Sequence, residues 1–223
     1  MIEAWKFLRE SRCLGYDDNR PVKVGVPLEI DGLPILCARG IHASRRAIDA
    51  LQYAESAIVA RVHCEGEIVE GDDKLACTRL TPLAIFDATD TLRHFARLCA
   101  LDVIHLWDAP EIVRRYLETG EGSIRAAALA AAWAAARTGA RAATWAAARA
   151  VSRNDAWNAA RDAAWYAARA AAWNDAWNAA RGAARDDALA AAREDAMAAQ
   201  NVRLEQMLTE NMERKTQCTT VHR

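Results

Sequence analysis

Few of the residues that commonly bind metals or catalyse reactions occur at the spacings that known metal-binding and catalytic motifs require. The six cysteines form no CxxC pair or other metal-ligand spacing, and several lie in apolar runs typical of small buried side chains. The sequence contains no P-loop, GxGxxG or GxSxG pattern. The five histidines are scattered, and packing explains each of them adequately. We therefore expect no metal site.

One segment groups a glycine, a histidine and a tyrosine around a strand and a helix. It reads Cys37-Ala-Arg-Gly40-Ile-His42-Ala-Ser44, and Tyr53 follows His42 after 11 residues. This segment resembles the central motif of the ADP-ribosyltransferase superfamily, whose polymerase-type members place a second tyrosine 11 residues after the first aromatic. The resemblance implies that Gly40 and His42 line a nicotinamide pocket and that Tyr53 stacks on the ring.

The resemblance also implies catalytic candidates. Glu65-Gly-Glu67 is similar to the family's E-x-E element, although it arrives one strand early, and Ala50 stands where the family has a pocket serine. Arg9, His42 and Glu67 are the candidate catalytic residues that follow from it. NAD is expected as a ligand under this reading alone, and otherwise no cofactor is expected.

The elements that must position these residues form an α+β domain over residues 1–122, with about five strands and three helices. Hydrophobic alternation and turn residues predict strands at Ala4–Leu8, Val22–Ile30, Pro34–Ala38, 57–70 and 74–85. A helix capped by Ser44 should run to Tyr53. A second should begin at Thr89 or Asp90, and a third, with a capping box at Asp108 and Glu111, should end at Gly120.

The composition changes near Gly122. Residues 1–123 carry a net charge of −5, residues 124–199 one of +3, and residues 200–223 one of +1. Half of residues 124–199, 38 of 76, are alanine, the best helix former. We predict an all-α array over residues 123–199, beginning at a Ser123 cap, and an amphipathic helical tail over residues 200–223 that is frayed at its end. The acidic front and basic array have charges that suit pairing with each other or between copies.

Every fourth residue of the array is large. The register holds six tryptophans, ten arginines, two leucines and one methionine between Arg125 and Met197. The interaction candidates in it are Trp133, Trp145, Trp157, Trp165, Trp173, Trp177, Arg137, Arg149, Arg161, Arg169 and Arg181. Trp–Arg neighbours four residues apart can stack as cation–π pairs.

A four-residue period cannot keep one face on a straight helix, because each large residue sits about 40° round from the last. Either one long rod carries a spiralling stripe, or the chain breaks near Gly139 and Gly182 and folds back as a helical hairpin or bundle. We expect the second arrangement. Alanine strips would then allow close helix packing, with tryptophan filling the gaps.

The chain as a whole resembles a family of uncharacterised proteins from tailed bacteriophages. These proteins open with an AWKFLRE-like strand, carry a GEIVEGDDK-like hairpin and an LDVIHLWDAPEIVRRYLETGE segment, and continue into Ala-, Arg- and Trp-rich repeats. The resemblance implies a phage gene product made in the cytoplasm of a bacterial host. No apolar leader or membrane-length apolar stretch is present, in agreement with a cytoplasmic, non-membrane protein.

Two functions follow from these patterns. The first is a non-enzymatic interaction or scaffold protein whose array binds a second copy (a homo-oligomer) or a host or phage protein. The alternative is an ADP-ribosyltransferase-like enzyme, or a degenerate NAD- or nucleotide-binding relative, that acts on a host defence factor. Nucleic acid is not an expected partner, because the array lacks lysine, includes seven acidic residues and presents a drifting face.

Overall fold

The computed structural model describes residues 1–15, 18–138, 142–152, 155–179 and 185–220. The chain divides into two compact units, one formed by Met1–Thr91 with Leu204–Arg223 and the other by Leu92–Arg203. The predicted class, an α+β N-terminal region followed by several helices, is confirmed. The two units do not coincide with the composition ranges 1–122, 123–199 and 200–223, since one helix crosses residue 200 without interruption.

An antiparallel sheet of five strands forms the first unit. Its strands are β1 (Ile2–Leu8), β2 (Leu28–Glu29), β3 (Ile41–Ala43), β4 (Ile58–Glu70) and β5 (Leu75–Asp87). They are ordered β1-β4-β5-β2, and β3 pairs with β5 as well. The long β4–β5 hairpin closes at Gly71, whose N–H donates to Lys74 O at 2.8 Å.

One face of this sheet carries the apolar core. Alternate residues of β1 and β4, including Ala4, Leu8, Ala60 and Val62, point to this face and are at most 2% exposed. Leu14, from the segment after β1, is also buried in this cluster. Burial of one face fixes the strand register, because a slip of one residue would turn the apolar set outward.

Two predicted strands are wrong in extent. Within Val22–Ile30 the strand is limited to Leu28–Glu29, because a turn in which Val26 N–H donates to Lys23 O interrupts the extended backbone. Pro34–Ala38 is a tight turn instead of a strand, with Ile35 and Arg39 exchanging both backbone hydrogen bonds across it. The third strand lies just beyond it, at Ile41–Ala43.

Helix α1 (Ala47–Gln52) is shorter than predicted and is not capped by Ser44. Ser44 is buried and forms an isolated bridge with Trp5. The free backbone N–H of Ala47 donates instead to Glu205 Oε1 at 3.1 Å. Glu205 belongs to the long C-terminal helix, which also buries Leu204 and Leu208 completely. These two leucines lie four residues apart on one face of the helix, as part of the first unit.

The next helices are α2 (Thr89–Asp102) and α3 (Glu111–Thr119), with a 3-10 turn at Ile104–Leu106 between them. Asp87 caps α2 by accepting from Thr89 N–H at 2.8 Å, two residues before the predicted cap. The predicted capping box of α3 is absent, since its N-cap is Pro110 with no side-chain cap hydrogen bond. Gly120 ends α3 in the left-handed conformation, as predicted.

The array consists of separate helices: α4 (Arg125–Thr138), α5 (Ala142–Ser152), α6 (Ala156–Ala179) and α7 (Arg185–Thr220). Helix α4 packs on α5 and α5 packs on α6, so the folded arrangement is confirmed over a single rod. The predicted breaks at Gly139 and Gly182 fall outside the described residues, between helices. Asp155, just before α6, is also non-helical, which was not predicted. Ser123 does not cap the array, because its hydroxyl bonds the Glu121 carboxylate and a 3-10 turn precedes α4.

Alanine lines the helix contacts of the array. The buried alanines of α5 and α6 include Ala146, Ala147, Ala160, Ala163 and Ala164, all at most 1% exposed. Methyl side chains allow the two backbones to approach closely. Each buried methyl contributes little apolar area, so stability must come from many such contacts.

Candidate functional site

A cleft of about 520 Å³ opens in the first unit, within the usual size range of small-molecule sites. It is built where β1 ends, where the Pro34–Ala38 turn leads into β3, and where α1 ends. The residues that line it are Trp5, Lys6, Phe7, Leu8, Arg9, Leu14, Gly15, Asp18, Cys37, Ala38, Gly40, Ile41, His42, Ala43, Ser44, Ala50, Tyr53, Glu55 and Lys74.

The cleft gathers four of the residues selected from the sequence. Arg9, Gly40, His42 and Tyr53 all line it, although 44 residues separate the first from the last. Glu67 is not among the lining residues. It is exposed on β4, where its N–H donates to Thr78 Oγ1 at 3.0 Å beside an irregularity in the β4–β5 register.

His42 is held by two backbone contacts. Its Nε2 accepts from the N–H of Cys37 at 3.2 Å, which assigns the neutral tautomer protonated on Nδ1, and its carbonyl oxygen accepts from Lys6 Nζ at 2.6 Å. Burial lowers the pKa of His42, and the nearby ammonium group of Lys74 lowers it further. His42 is thus a neutral imidazole at neutral pH.

The turn before β3 places Cys37 against His42. Cys37 has φ 62°, a left-handed conformation uncommon for a residue with a side chain. Gly40 has φ 136°, and a Cβ there would lie 2.9 Å from Ala76 Cβ. Glycine is therefore required at position 40 for both conformation and space, which is a physical reason for the Gly-Ile-His pattern noted in the sequence.

Tyr53 forms part of a polar group at another part of the cleft. Its hydroxyl donates to the Asp73 carboxylate, and this hydrogen bond raises the pKa of Tyr53. The ammonium of Lys74 lies 4.5 Å from the centre of the Tyr53 ring, within cation–π distance. Hydrogen bonds to Cys37 and Tyr53 raise the pKa of Lys74, so Lys74 stays cationic. The Tyr53 side chain remains 42% exposed.

Arg9 is held by two neighbours. Its Nε lies 3.1 Å from Glu55 Oε2 and its Nη1 donates to Asn19 Oδ1 at 2.7 Å. Asp18 is engaged by Arg20 through a 2.7 Å ion pair, which with the hydrogen bonds from Arg20 lowers the pKa of Asp18. Both carboxylates of the cleft, Asp18 and Glu55, are thus already paired with arginine.

Lys6 is a cleft residue that the sequence analysis did not select. It interrupts the apolar alternation Ala4, Lys6, Leu8 on the core-facing side of β1. A lysine at an inward position of an otherwise apolar strand is the sequence signal that would have identified it, because buried lysines are rare without a partner.

The tryptophans of the second unit that the structure describes with their side chains are partly buried. Trp133 of α4 meets Trp145 of α5 edge to face at 5.3 Å, and Trp145 stacks on Tyr166 of α6 at 6.0 Å. Trp157 and Trp165 are partly buried on α6. These contacts show a packing role for the register.

The arginines of the four-residue register differ in the contacts that their guanidinium groups make. Arg149 lies over both Trp133 and Trp145, at 5.4 and 5.5 Å, and Arg169 lies 5.4 Å from Trp165, four residues earlier. Arg161 does not follow the predicted pairing, since its guanidinium donates to Asn158 Oδ1 at 2.6 Å. Arg181, with the side chains of Arg137, Trp173 and Trp177, lies outside the described residues.

Two further observations concern the described part of the chain as a whole. No group of three or more histidine, cysteine or acidic residues in it is placed to hold a metal ion. None of its helices combines the length and apolar character needed to cross a bilayer. Neither observation alters the description of the cleft.

Residues 4–94 match the family model of a domain of unknown function (DUF7666). The matched range contains β2 to β5, most of β1, α1 and all of the residues that line the cleft. The chain is thus similar to this family over residues 4–94, and the array lies beyond the match. Comparisons with curated proteins and with solved structures gave no significant match.

Proposed function

We propose that the cleft of the first unit binds a small anionic ligand of the nucleotide class, with NAD and related nucleotides as the first candidates. The observation that carries the proposal is the convergence of Arg9, Gly40, His42 and Tyr53 on one cleft. The same residues are those that the resemblance to the ADP-ribosyltransferase superfamily assigns to a nucleotide pocket or to catalysis.

The chemistry of the cleft supports an anionic ligand. Arg9 and Lys74 bring cationic side chains to it, whereas its carboxylates are paired with arginine. Phosphate groups are bound by such lysine and arginine donors. The exposed part of the Tyr53 ring offers an aromatic surface for a base or a nicotinamide.

We propose nucleotide binding alone, without catalysis. Glu67, the carboxylate that the resemblance assigns to catalysis, does not line the cleft. The cleft carboxylate Glu55 forms an ion pair with Arg9. We therefore do not propose transfer of ADP-ribose, and the alternative retained is that of a nucleotide-binding relative.

Isothermal titration calorimetry of the full chain with NAD, ADP-ribose and AMP tests this function. Replacement Tyr53→Ala should weaken binding about tenfold, because aromatic stacking contributes roughly 1–3 kcal/mol per base. Arg45→Gln is the matched control, since Arg45 pairs with Glu70 and does not line the cleft. No binding heat at millimolar ligand would reject the proposal.

Partner binding by the array is a second candidate, supported by one specific observation. The exposed guanidinium groups of Arg169, on α6, and Arg193, on α7, both lie over the ring of Trp165, at 5.4 and 5.3 Å. This pair suits an acidic partner surface, and residues 1–123 of a second copy, with a net charge of −5, provide one. A phage origin, a bacterial cytoplasmic location and a host defence target stay predictions from the sequence.

A further inference from the structure

Lys6 places an amine among apolar side chains on the wall of the cleft. Ala4 and Leu8, its neighbours on the same face of β1, are 0% and 2% exposed, and its cross-strand partner Ala60 is fully buried. The Nζ atom donates to the carbonyl oxygen of His42 at 2.6 Å. The amine is therefore fixed in position on a rigid strand and faces the cleft.

The surroundings favour the neutral form of this amine. Burial lowers the pKa of Lys6, against the opposing effect of the carboxylates Asp18 and Glu55. The other charged or titratable side chains on the cleft are those of Arg9, Cys37, His42, Tyr53 and Lys74. A neutral amine keeps the lone pair that attacks carbonyl carbon, which makes such lysines imine-forming nucleophiles.

We propose that Lys6 is a covalent binding site for an anionic aldehyde in the cleft. The ligand class follows from the lining, because Arg9 and Lys74 can bind a phosphate or carboxylate while the amine meets a carbonyl group. The inference rests on the proposed function in placing an anionic ligand in the same cleft, and it adds the reactive group of that ligand.

The reaction needs no oxidant or reductant. The Lys6 nitrogen lone pair forms a C–N bond to the aldehyde carbon as the C=O π pair moves onto oxygen, and a proton passes from nitrogen to that oxygen. Loss of the hydroxyl with the second nitrogen-bound hydrogen releases one water and leaves the C=N bond. Hydrolysis reverses every step, so the adduct is reversible unless it is reduced.

The test uses pyridoxal 5′-phosphate as the probe on the full chain, with cyanoborohydride to reduce the imine. The chain has four lysines, Lys6, Lys23, Lys74 and Lys215, so peptide mass spectrometry can assign each adduct. Near neutral pH we expect Lys6 to be labelled several-fold faster than the exposed Lys23, since a lowered pKa raises the neutral fraction of the amine. Labelling of Lys6 at or below the rate of Lys23 would overturn the inference.

Two variants give an independent readout. Lys6→Met should abolish the imine absorbance that is formed by substoichiometric probe, whereas Lys23→Met should leave it unchanged. If circular dichroism shows that Lys6→Met is unfolded, the peptide map of the wild-type chain decides the question alone.

Competition with NAD separates this inference from the proposed function. Protection of Lys6 by NAD supports both. Fast labelling of Lys6 that NAD does not slow supports the covalent site and counts against nucleotide binding. Slow labelling of Lys6, in a chain that binds NAD by calorimetry, rejects the covalent site and leaves nucleotide binding standing.

Discussion

Single residues of the cleft combine packing and chemistry. His42 accepts a hydrogen bond from the turn that precedes it, and its carbonyl oxygen holds the amine of Lys6. Gly40, which makes that turn possible, is needed for its conformation, so its place in the pattern has a structural cause. The resemblance to the ADP-ribosyltransferase motif pointed to Gly40 and His42, but it gave no reason for the contacts that these two residues make.

The neutral state of His42 predicts a dependence of stability on pH. Because the pKa of His42 is lowered in the folded chain, the unfolded chain takes up this proton first as the pH falls below about 6.5. The free energy of unfolding should therefore decrease from pH 7 towards pH 5. His42→Gln keeps an acceptor without a titrating group, so urea unfolding of this variant should show a smaller decrease.

His42→Ala is the companion variant for this measurement. It removes the acceptor for Cys37 N–H and should lower stability at every pH in the range. Parallel pH profiles for the wild-type chain and His42→Gln would contradict the assigned neutral imidazole.

Gly40 provides a second prediction at this scale. Gly40→Ala should reduce the free energy of unfolding by about 1–3 kcal/mol, because φ 136° disfavours any side chain and the new Cβ would lie 2.9 Å from Ala76 Cβ. Gly122→Ala is the matched control, since no atom lies within 4 Å of its Cβ position and its φ is not in the left-handed range. Equal stability of the two variants would count against the turn geometry.

The sequence predicted those strands and helices whose positions depend on the local pattern of apolar and turn residues. Strands β1, β4 and β5 and helix α2 follow from alternation, three- and four-residue spacing and turn residues. The errors fall where distant residues decide the outcome. The N-terminus of α1 is satisfied by Glu205, which is 158 positions from Ala47, and local capping rules give no sign of such a partner.

The burial of Leu204 on α7 predicts that a substitution near the C-terminus destabilises the unit that contains the sheet. Leu204→Ala should lower the free energy of unfolding by about 2–5 kcal/mol, because Leu204 is fully buried in the unit that contains the sheet. Val202→Ala, on the same helix and 66% exposed, should change stability by less than about 0.5 kcal/mol. Chemical denaturation of both variants measures the contrast, and a mild effect of Leu204→Ala would show that α7 is dispensable to this core.

For the whole molecule, the four-residue register predicted helices and excluded a single straight face. The folded array agrees with this geometry, and Trp133 and Trp145 meet although they belong to different helices. Which tryptophan meets which could not be predicted, because alanine-rich surfaces lack the side-chain shapes that specify one pairing. The cleft was harder to predict than the helix contacts, because its lining converges from five separated segments of chain.

The opposite net charges of the front and the array predict a self-association that depends on salt. If the acidic front of one copy binds the Arg169–Trp165–Arg193 surface of another, light scattering after size exclusion should give a mass above 24.5 kDa at low salt that falls as salt is added. Arg169→Gln with Arg193→Gln should reduce the association, whereas Arg214→Gln, an exposed arginine elsewhere on α7, should not. A monomer at every salt concentration would remove the second candidate function.

If the cleft is a ligand site, ¹H–¹⁵N chemical-shift mapping of the full chain during an NAD titration should locate the ligand there. Saturable shifts should concentrate at residues 5–9, 14–15, 37–44, 50–55 and 74, which belong to the segments that line the cleft. Arg45→Gln should leave that pattern unchanged. The absence of shifts at millimolar NAD, or saturable shifts confined to α4–α6, would show that NAD does not bind in the cleft.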